Sequence, residues 1–181
     1  MTSIIMNILF VGMPGAGKST ISSLLSKKIN KSCIEIDEHI EKKLNIPLQK
    51  YIDLYGNEKF KEIEEIIILS ILKNAKNNII SPPGSIIYYP KVMEYLTNNN
   101  NYIIIYLECS LDIILKRTNC FENRGVIMDL SLKNPYESLY NERVPYYEKI
   151  ANFKYNSEEK LVILLDKTIK LLNKKGILYS T

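Results

Sequence analysis

Tryptophan is absent from these 181 residues, histidine occurs once, and cysteine is confined to Cys33, Cys109 and Cys120. Three cysteines, far apart and in no metal-ligand spacing, exclude a disulfide scaffold and a zinc module. They read as buried thiols in a reducing compartment. His39 reads as a helix-surface residue rather than a base. Long hydrophobic runs are also missing. Stretches such as Ile103-Ile104-Ile105-Tyr106-Leu107 fall far below the roughly 20 apolar residues that a bilayer requires, so no membrane partner is expected. The N-terminus carries neither a basic n-region nor a small-residue cleavage site, which leaves a cytoplasmic location as the expectation. A strong charge of one sign is lacking too. Lys plus Arg number 24 against 20 Asp plus Glu, and the two signs mix, as in Glu58-Lys59-Phe60-Lys61-Glu62. A nucleic-acid binder clusters a larger basic excess, so a small anionic molecule is the better-matched partner.

What remains is ordinary for a folded chain: 46% hydrophobic and 24% charged residues, values typical of globular domains and unlike disordered or collagen-like chains. The length suits a single domain, 1–181. The thirteen tyrosines read as half-buried packing residues.

Short apolar runs alternate with helical periodicity from end to end, which predicts βα units around a parallel sheet. Strands are expected at 4–11, 32–36, 78–81, 102–107 and 153–155. Helices are expected at 18–30, across 38–75 with breaks near 46–47 and 55–56, and at 90–96, 110–117, 136–150 and 158–172. The weakly periodic, polar stretch 118–135 is expected to be a lid loop.

The sharpest signal is Gly12-Met13-Pro14-Gly15-Ala16-Gly17-Lys18-Ser19, which fits G-x-x-x-x-G-K-[ST]. Average residue usage gives a chance match in roughly 1 of 150 chains of this length. The motif also follows a strand candidate and opens an amphipathic helix, as its chemistry demands. Gly12, Gly15, Ala16 and Gly17 would let backbone N–H groups wrap a phosphate at a helix N-terminus. Lys18 would bridge the β- and γ-phosphates, Ser19 would place its hydroxyl on Mg²⁺, and Thr20 would complete the nucleotide contacts. ATP and Mg²⁺ are therefore the expected cofactors. No N-K-x-D motif marks a GTPase, and no long strand ending in an acidic pair marks an oligomeric ATPase. Asp37, after the second strand, suits an acceptor-orienting carboxylate. Glu35, two residues earlier and on the same face of an extended strand, could hold Mg²⁺ through water. The alternative for this pair is a solvated cluster at a helix entry.

From here the chain resembles the shikimate kinase family across nearly its whole length. Glu35-Ile36-Asp37-Glu38-His39-Ile40-Glu41 is similar to D-[ST]-D-x-x-I-E, and Gly56 through Glu64 to G-E-x-x-F-R-x-x-E. Pro82-Pro83-Gly84-Ser85 stands where that family carries T-G-G-G, and Arg124-Gly125 falls at its lid arginine. The segment from Leu139 through Ala151 is similar to L-x-x-x-R-x-P-x-Y-x-x-x-A. The resemblance implies a three-layer α/β P-loop kinase fold with about five parallel strands between helices, plus a lid, in a monomer that transfers the γ-phosphoryl of ATP to shikimate. It implies Arg124 closing on the transferring phosphate, Arg117 against the adenine, and an acceptor held by Asp37, Lys61, Gly84, Ser85 and Arg143, with 38–75 as the acceptor-binding helices. The departures gather on the acceptor side. Lys61 stands for an arginine, and a point charge does not reproduce a bidentate grip. Pro83 and Ser85 stand for glycines, and proline has no N–H to offer. The open alternatives are another small hydroxy acid, a nucleoside monophosphate, or a nucleotide-binding regulatory module.

Overall fold

The computed structural model describes residues 5–117, 126–127 and 131–178. Five strands form one sheet: β1 (Asn7–Val11), β2 (Cys33–Glu35), β3 (Ile79–Ser81), β4 (Tyr102–Glu108) and β5 (Phe153–Asn156), in the order β2-β3-β1-β4-β5. Every pairing is parallel, with Leu9 beside both Ile80 and Ile104 and Glu35 beside Ser81. β1 lies centrally and each of its residues is buried. That is why Asn7-Ile8-Leu9-Phe10-Val11 carries no alternation: a parallel strand covered on both faces has no polar side.

The helices are α1 (Lys18–Ile29), α2 (Ile36–Leu44), α3 (Leu48–Tyr55), α4 (Asn57–Asn74), α5 (Pro90–Thr97), α6 (Leu111–Lys116), α7 (Pro135–Ile150) and α8 (Leu161–Lys174). Asn30 and Asn45 end α1 and α2 in the left-handed conformation, at φ 52° and 56°, a conformation that asparagine tolerates at helix ends. Gly56, at φ 81°, makes the break between α3 and α4, where only glycine adopts the angle without strain.

The expected α/β class, the parallel sheet and the strand positions agree with this architecture. Two local expectations do not. β2 stops at Glu35 and α2 opens at Ile36, so Asp37 belongs to a helical first turn and does not share a strand face with Glu35. Asp37 and Glu38 are the reason, since carboxylates at a helix N-terminus complement its dipole. The segment after β3, for which no element was expected, winds into a 3₁₀ turn, Gly84–Tyr88. Arg124 and most of the expected lid, 118–125 and 128–130, lie outside the described residues.

Open parallel sheets bind ligands at the carboxyl ends of their strands, where the strand order reverses. Here β1 leads into the loop at Gly12, β2 into Asp37, and β3 into Pro82 to Gly84. All three connections gather at that edge beside the central strand.

Candidate active site

The loop between β1 and α1 is shaped for an anion by its backbone. Gly12 has φ 147°, and a Cβ there would sit 2.7 Å from the Leu107 carbonyl oxygen of β4. Gly15 and Gly17 take φ 80° and 93°, so the chain turns through conformations that L side chains resist. No side chain caps α1, and its first turn holds no acidic residue. Its leading N–H groups and positive dipole end therefore face the cleft without competition from a carboxylate. Lys18 is 9% exposed, and its Nζ donates to the carbonyl oxygens of Gly12 (2.9 Å) and Met13 (3.0 Å). The ammonium is thus held over the loop that would cradle phosphates.

A cleft of about 740 Å³ opens from this loop. Gly15, Gly17, Lys18, Ser19 and Thr20 line one end, while Asp37, Lys61, Gly84, Ser85 and Arg143 line the other. The structure thus gathers ten of the expected site residues around one space. Val126, Ile127 and Leu132, from the expected lid stretch, line it as well. Gly12 and Ala16 are buried behind the loop and shape it from within. Arg117 stands on the outer flank, where Nη1 donates to the Gly15 carbonyl oxygen (3.1 Å) and lies 3.7 Å from Cys109 Sγ. Glu35 does not line the cleft; its Oε1 lies 3.8 Å from Cys33 Sγ. It is nonetheless the register neighbour of Ser81, whose Oγ is 3.3 Å from Ser19 Oγ. Burial pushes the Cys33 thiol up to about 12, with the Glu35 charge adding to the effect. The thiol therefore stays protonated and poorly nucleophilic.

The end of the cleft away from the glycine loop is built by α4, the 3₁₀ turn and α7. Leu139, Arg143 and Tyr147 recur every four residues on the buried face of α7, which places the guanidinium inside, 2% exposed. Arg143 Nε donates to the Tyr88 hydroxyl (3.0 Å), and its Cζ lies 5.0 Å from the centroid of the Tyr88 ring. A planar guanidinium stacks on an aromatic face in this way, and its remaining N–H groups keep their fork geometry. Tyr147 donates to the Gly84 carbonyl oxygen at 2.7 Å. Lys61, 42% exposed, is engaged by Glu58 Oε1 at 2.7 Å on the same helix.

Three participants were not anticipated. Glu64 lines the cleft at 2% exposure, and its Oε2 accepts hydrogen bonds from Ser85 Oγ (2.9 Å) and from the Tyr89 hydroxyl. Burial pushes this carboxyl up to about 7. The two hydroxyls and Arg143 work against that rise, and the Asp37 charge works with it. Signals for Glu64 existed: it closes the segment from Gly56 that is similar to the family motif, and it occupies the apolar stripe of α4 between Phe60 and Ile67-Ile68, where an acid needs a partner. Tyr88 and Tyr89 are the others, and for these two the packing role expected of the tyrosines is incomplete, because their hydroxyls organise charged groups.

Comparison with known proteins bears on the family and the fold. The shikimate kinase family model matches residues 14–173. The shikimate kinase of Francisella tularensis subsp. novicida is 32% identical over 146 residues, 81% of this chain and 82% of that protein. That of Francisella philomiragia is 33% identical over the same shares. Among solved structures, the shikimate kinase from Acinetobacter baumannii in complex with shikimate superposes with a TM-score of 0.82 at 24% identity, covering 96% of each chain. A deoxyadenosine kinase from M. mycoides with bound dATP does so at 0.59 and 22%, over 93% of this chain and 100% of that one. Those two likenesses establish the P-loop kinase fold. Taken with the family match along almost the whole chain, they lead to one assignment: this protein belongs to the shikimate kinase family.

Proposed function

We propose that the protein transfers the γ-phosphoryl group of ATP to a hydroxyl of shikimate. One observation carries this reading: the anion-shaped loop and the buried Arg143 line the same cleft, with Asp37 in the first turn of α2 facing that space. A donor phosphate and an anionic acceptor would meet there. The acceptor oxygen forms its bond to the γ-phosphorus as the bond to the β–γ bridging oxygen breaks, and ADP leaves. The acceptor proton passes to Asp37 or, through it, to solvent. Such transfer depends mainly on alignment and charge neutralisation. Lys18 stabilises the β- and γ-oxygens, Arg143 fixes the acceptor carboxylate, and Asp37 orients the hydroxyl. Lys61 adds a second, more exposed positive charge. Arg117 flanks the adenine side, and Arg124 is assigned by the family resemblance to the transferring phosphate.

Magnesium suits the donor set. Ser19 Oγ lies at the loop, and Glu35 is one strand beyond through Ser81. Among the described residues no cluster of three His, Cys, Asp or Glu side chains forms a protein cage. Magnesium keeps waters and phosphate oxygens around it and needs few protein ligands. When bound, it neutralises charge on the β- and γ-oxygens. Ser19 would hold it directly, and Glu35, outside the cleft lining, would reach it only through water.

A second reading, a different small hydroxy acid, rests on the engagement of Lys61 by Glu58 and on Pro83, which has no amide N–H to offer. Coupled ADP release separates the two. Shikimate should drive saturable turnover, whereas the second reading requires another hydroxy acid to exceed it in kcat/KM. Background hydrolysis that no acceptor accelerates would defeat both.

A further inference from the structure

One guanidinium joins the loop after β1 to the end of α6, and it touches the loop on its backbone. Arg117 does not line the cleft. Its own backbone N–H closes α6 on the carbonyl oxygens of Ile113 and Ile114, each at 3.0 Å. Its Nη1 lies 3.7 Å from Sγ of the buried Cys109, just past β4, and the Cys109 carbonyl oxygen accepts from the Tyr140 hydroxyl of α7 at 3.1 Å. Hydrogen bonds from Ser110 hold the Glu158 carboxyl below its usual range, and the Arg117 charge adds to the effect. From this setting Nη1 donates to the Gly15 carbonyl oxygen at 3.1 Å.

Peptide geometry carries that bond into the loop. Gly15 takes φ 80° and has no Cβ, so sterics restrain the peptide plane after it only weakly. A trans peptide is planar, with its C=O and N–H pointing opposite ways. Holding the Gly15 oxygen on the outer flank therefore aims the Ala16 N–H inward, where it donates to the Met13 carbonyl oxygen at 3.1 Å. That same oxygen accepts from Lys18 Nζ at 3.0 Å. A single line of contacts runs from Arg117 through the Gly15-Ala16 peptide and Met13 to the ammonium.

We propose that Arg117 is a positioning residue for the phosphate-binding loop, acting through the Gly15-Ala16 peptide on Met13 and Lys18, in addition to the base contact that the resemblance implies. This rests on the reading of that loop as the site of the ATP phosphates. The two roles use different parts of the guanidinium. Stacking on a base needs its planar face, whereas the Gly15 bond needs one N–H at its edge. Ligand and substitution therefore separate them.

The test is calorimetric titration of the full chain in magnesium, with ATP and with inorganic tripolyphosphate, which offers phosphates without a base. Arg117 is exposed, so its variants should fold. Arg117→Met keeps the length of the stem and removes the donor. It should weaken tripolyphosphate by about threefold to tenfold, the usual worth of a hydrogen bond, and ATP by at least as much. Arg117→Lys supplies an N–H donor without the planar face, and it should bring tripolyphosphate back to within about twofold of the wild type. Any ATP deficit left in that variant measures the base contact. The shikimate KM from coupled ADP release should stay within about twofold in both variants, because the acceptor contacts are remote. Unchanged tripolyphosphate binding in Arg117→Met, a loss that Arg117→Lys does not recover, or an equal rise in the shikimate KM would overturn the proposal. A wild-type protein that binds ATP but not tripolyphosphate would overturn it too, since the loop would then not hold phosphates unaided. A wild-type protein that binds neither would instead defeat the reading of the loop on which the proposal rests.

Discussion

Replacing Gly84 by alanine tests the packing of the site at one atom. A Cβ at that position would lie 2.8 Å from Arg143 Nη1, 3.1 Å from the Tyr147 hydroxyl and 3.2 Å from Pro14 Cδ. The Tyr147 hydroxyl has little freedom to retreat, because it donates to the Gly84 carbonyl oxygen and its side chain is fully buried. Pro14 belongs to the phosphate-binding loop, but its contact is within a few tenths of an ångström of ordinary packing. The far end of Arg143 is the part that gives. With Arg143 as the proposed acceptor anchor, its displacement would forfeit a charged hydrogen bond of about 1.5–3 kcal/mol, which corresponds to a rise of roughly 12-fold to 160-fold in acceptor KM. Overpacking adds a stability loss of about 1–3 kcal/mol. Coupled ADP release at varied shikimate and varied ATP, with a melting curve, separates these effects. The ATP KM should move by less than about threefold, since the loop backbone stays in place. A shikimate KM equal to that of the wild type, in a variant that folds, would refute the placement of Arg143 against Gly84.

Three further outcomes follow from the same geometry. Lys18→Ala should abolish turnover and weaken ATP binding, measured by titration calorimetry, because the Nζ now held by the Gly12 and Met13 carbonyls is the cation at the loop. Asp37→Asn should collapse kcat by about 100-fold or more while ATP affinity holds, the loss typical of a positioned proton acceptor; full activity would remove Asp37 from its role. Stability should depend on the Glu64 proton. Its carboxyl titrates near 7 when folded against an ordinary 4.5, so between those values the folded chain holds a proton that the unfolded chain lacks. Stability from this group is complete below 4.5 and falls as pH rises toward 7, by roughly 3 kcal/mol at most. Melting curves across that window should show the wild type losing several degrees relative to Glu64→Gln, and parallel curves would contradict the assignment.

The loop after β1 was legible because its shape is specified locally. Eight consecutive residues specify the turn, the glycine angles and the helix start, and a continuous apolar strand before them marks the sheet centre. Arg143 was legible from its place in a motif, and the four-residue recurrence of Leu139, Arg143 and Tyr147 accounts for its burial. The other end of the cleft was harder because its contacts join residues distant in sequence. Ser85 meets Glu64 across 21 positions and Arg143 meets Tyr88 across 55, and no spacing rule reports such pairs. Lys61 with Glu58 is the exception, since a three-residue separation on a helix brings the two together. Asp37 was placed at the correct edge of the sheet but on the wrong kind of element, because carboxylates that end a strand also begin a helix well.

The central claim is that one cleft aligns the terminal phosphate of ATP with a hydroxyl of shikimate held at Arg143. Phosphorus NMR of the protein with ATP, magnesium and shikimate tests it directly, because it identifies where the phosphorus goes. The account predicts a phosphomonoester resonance growing in step with ADP, and its disappearance when shikimate is omitted. Inorganic phosphate appearing at the same rate with or without shikimate would contradict it.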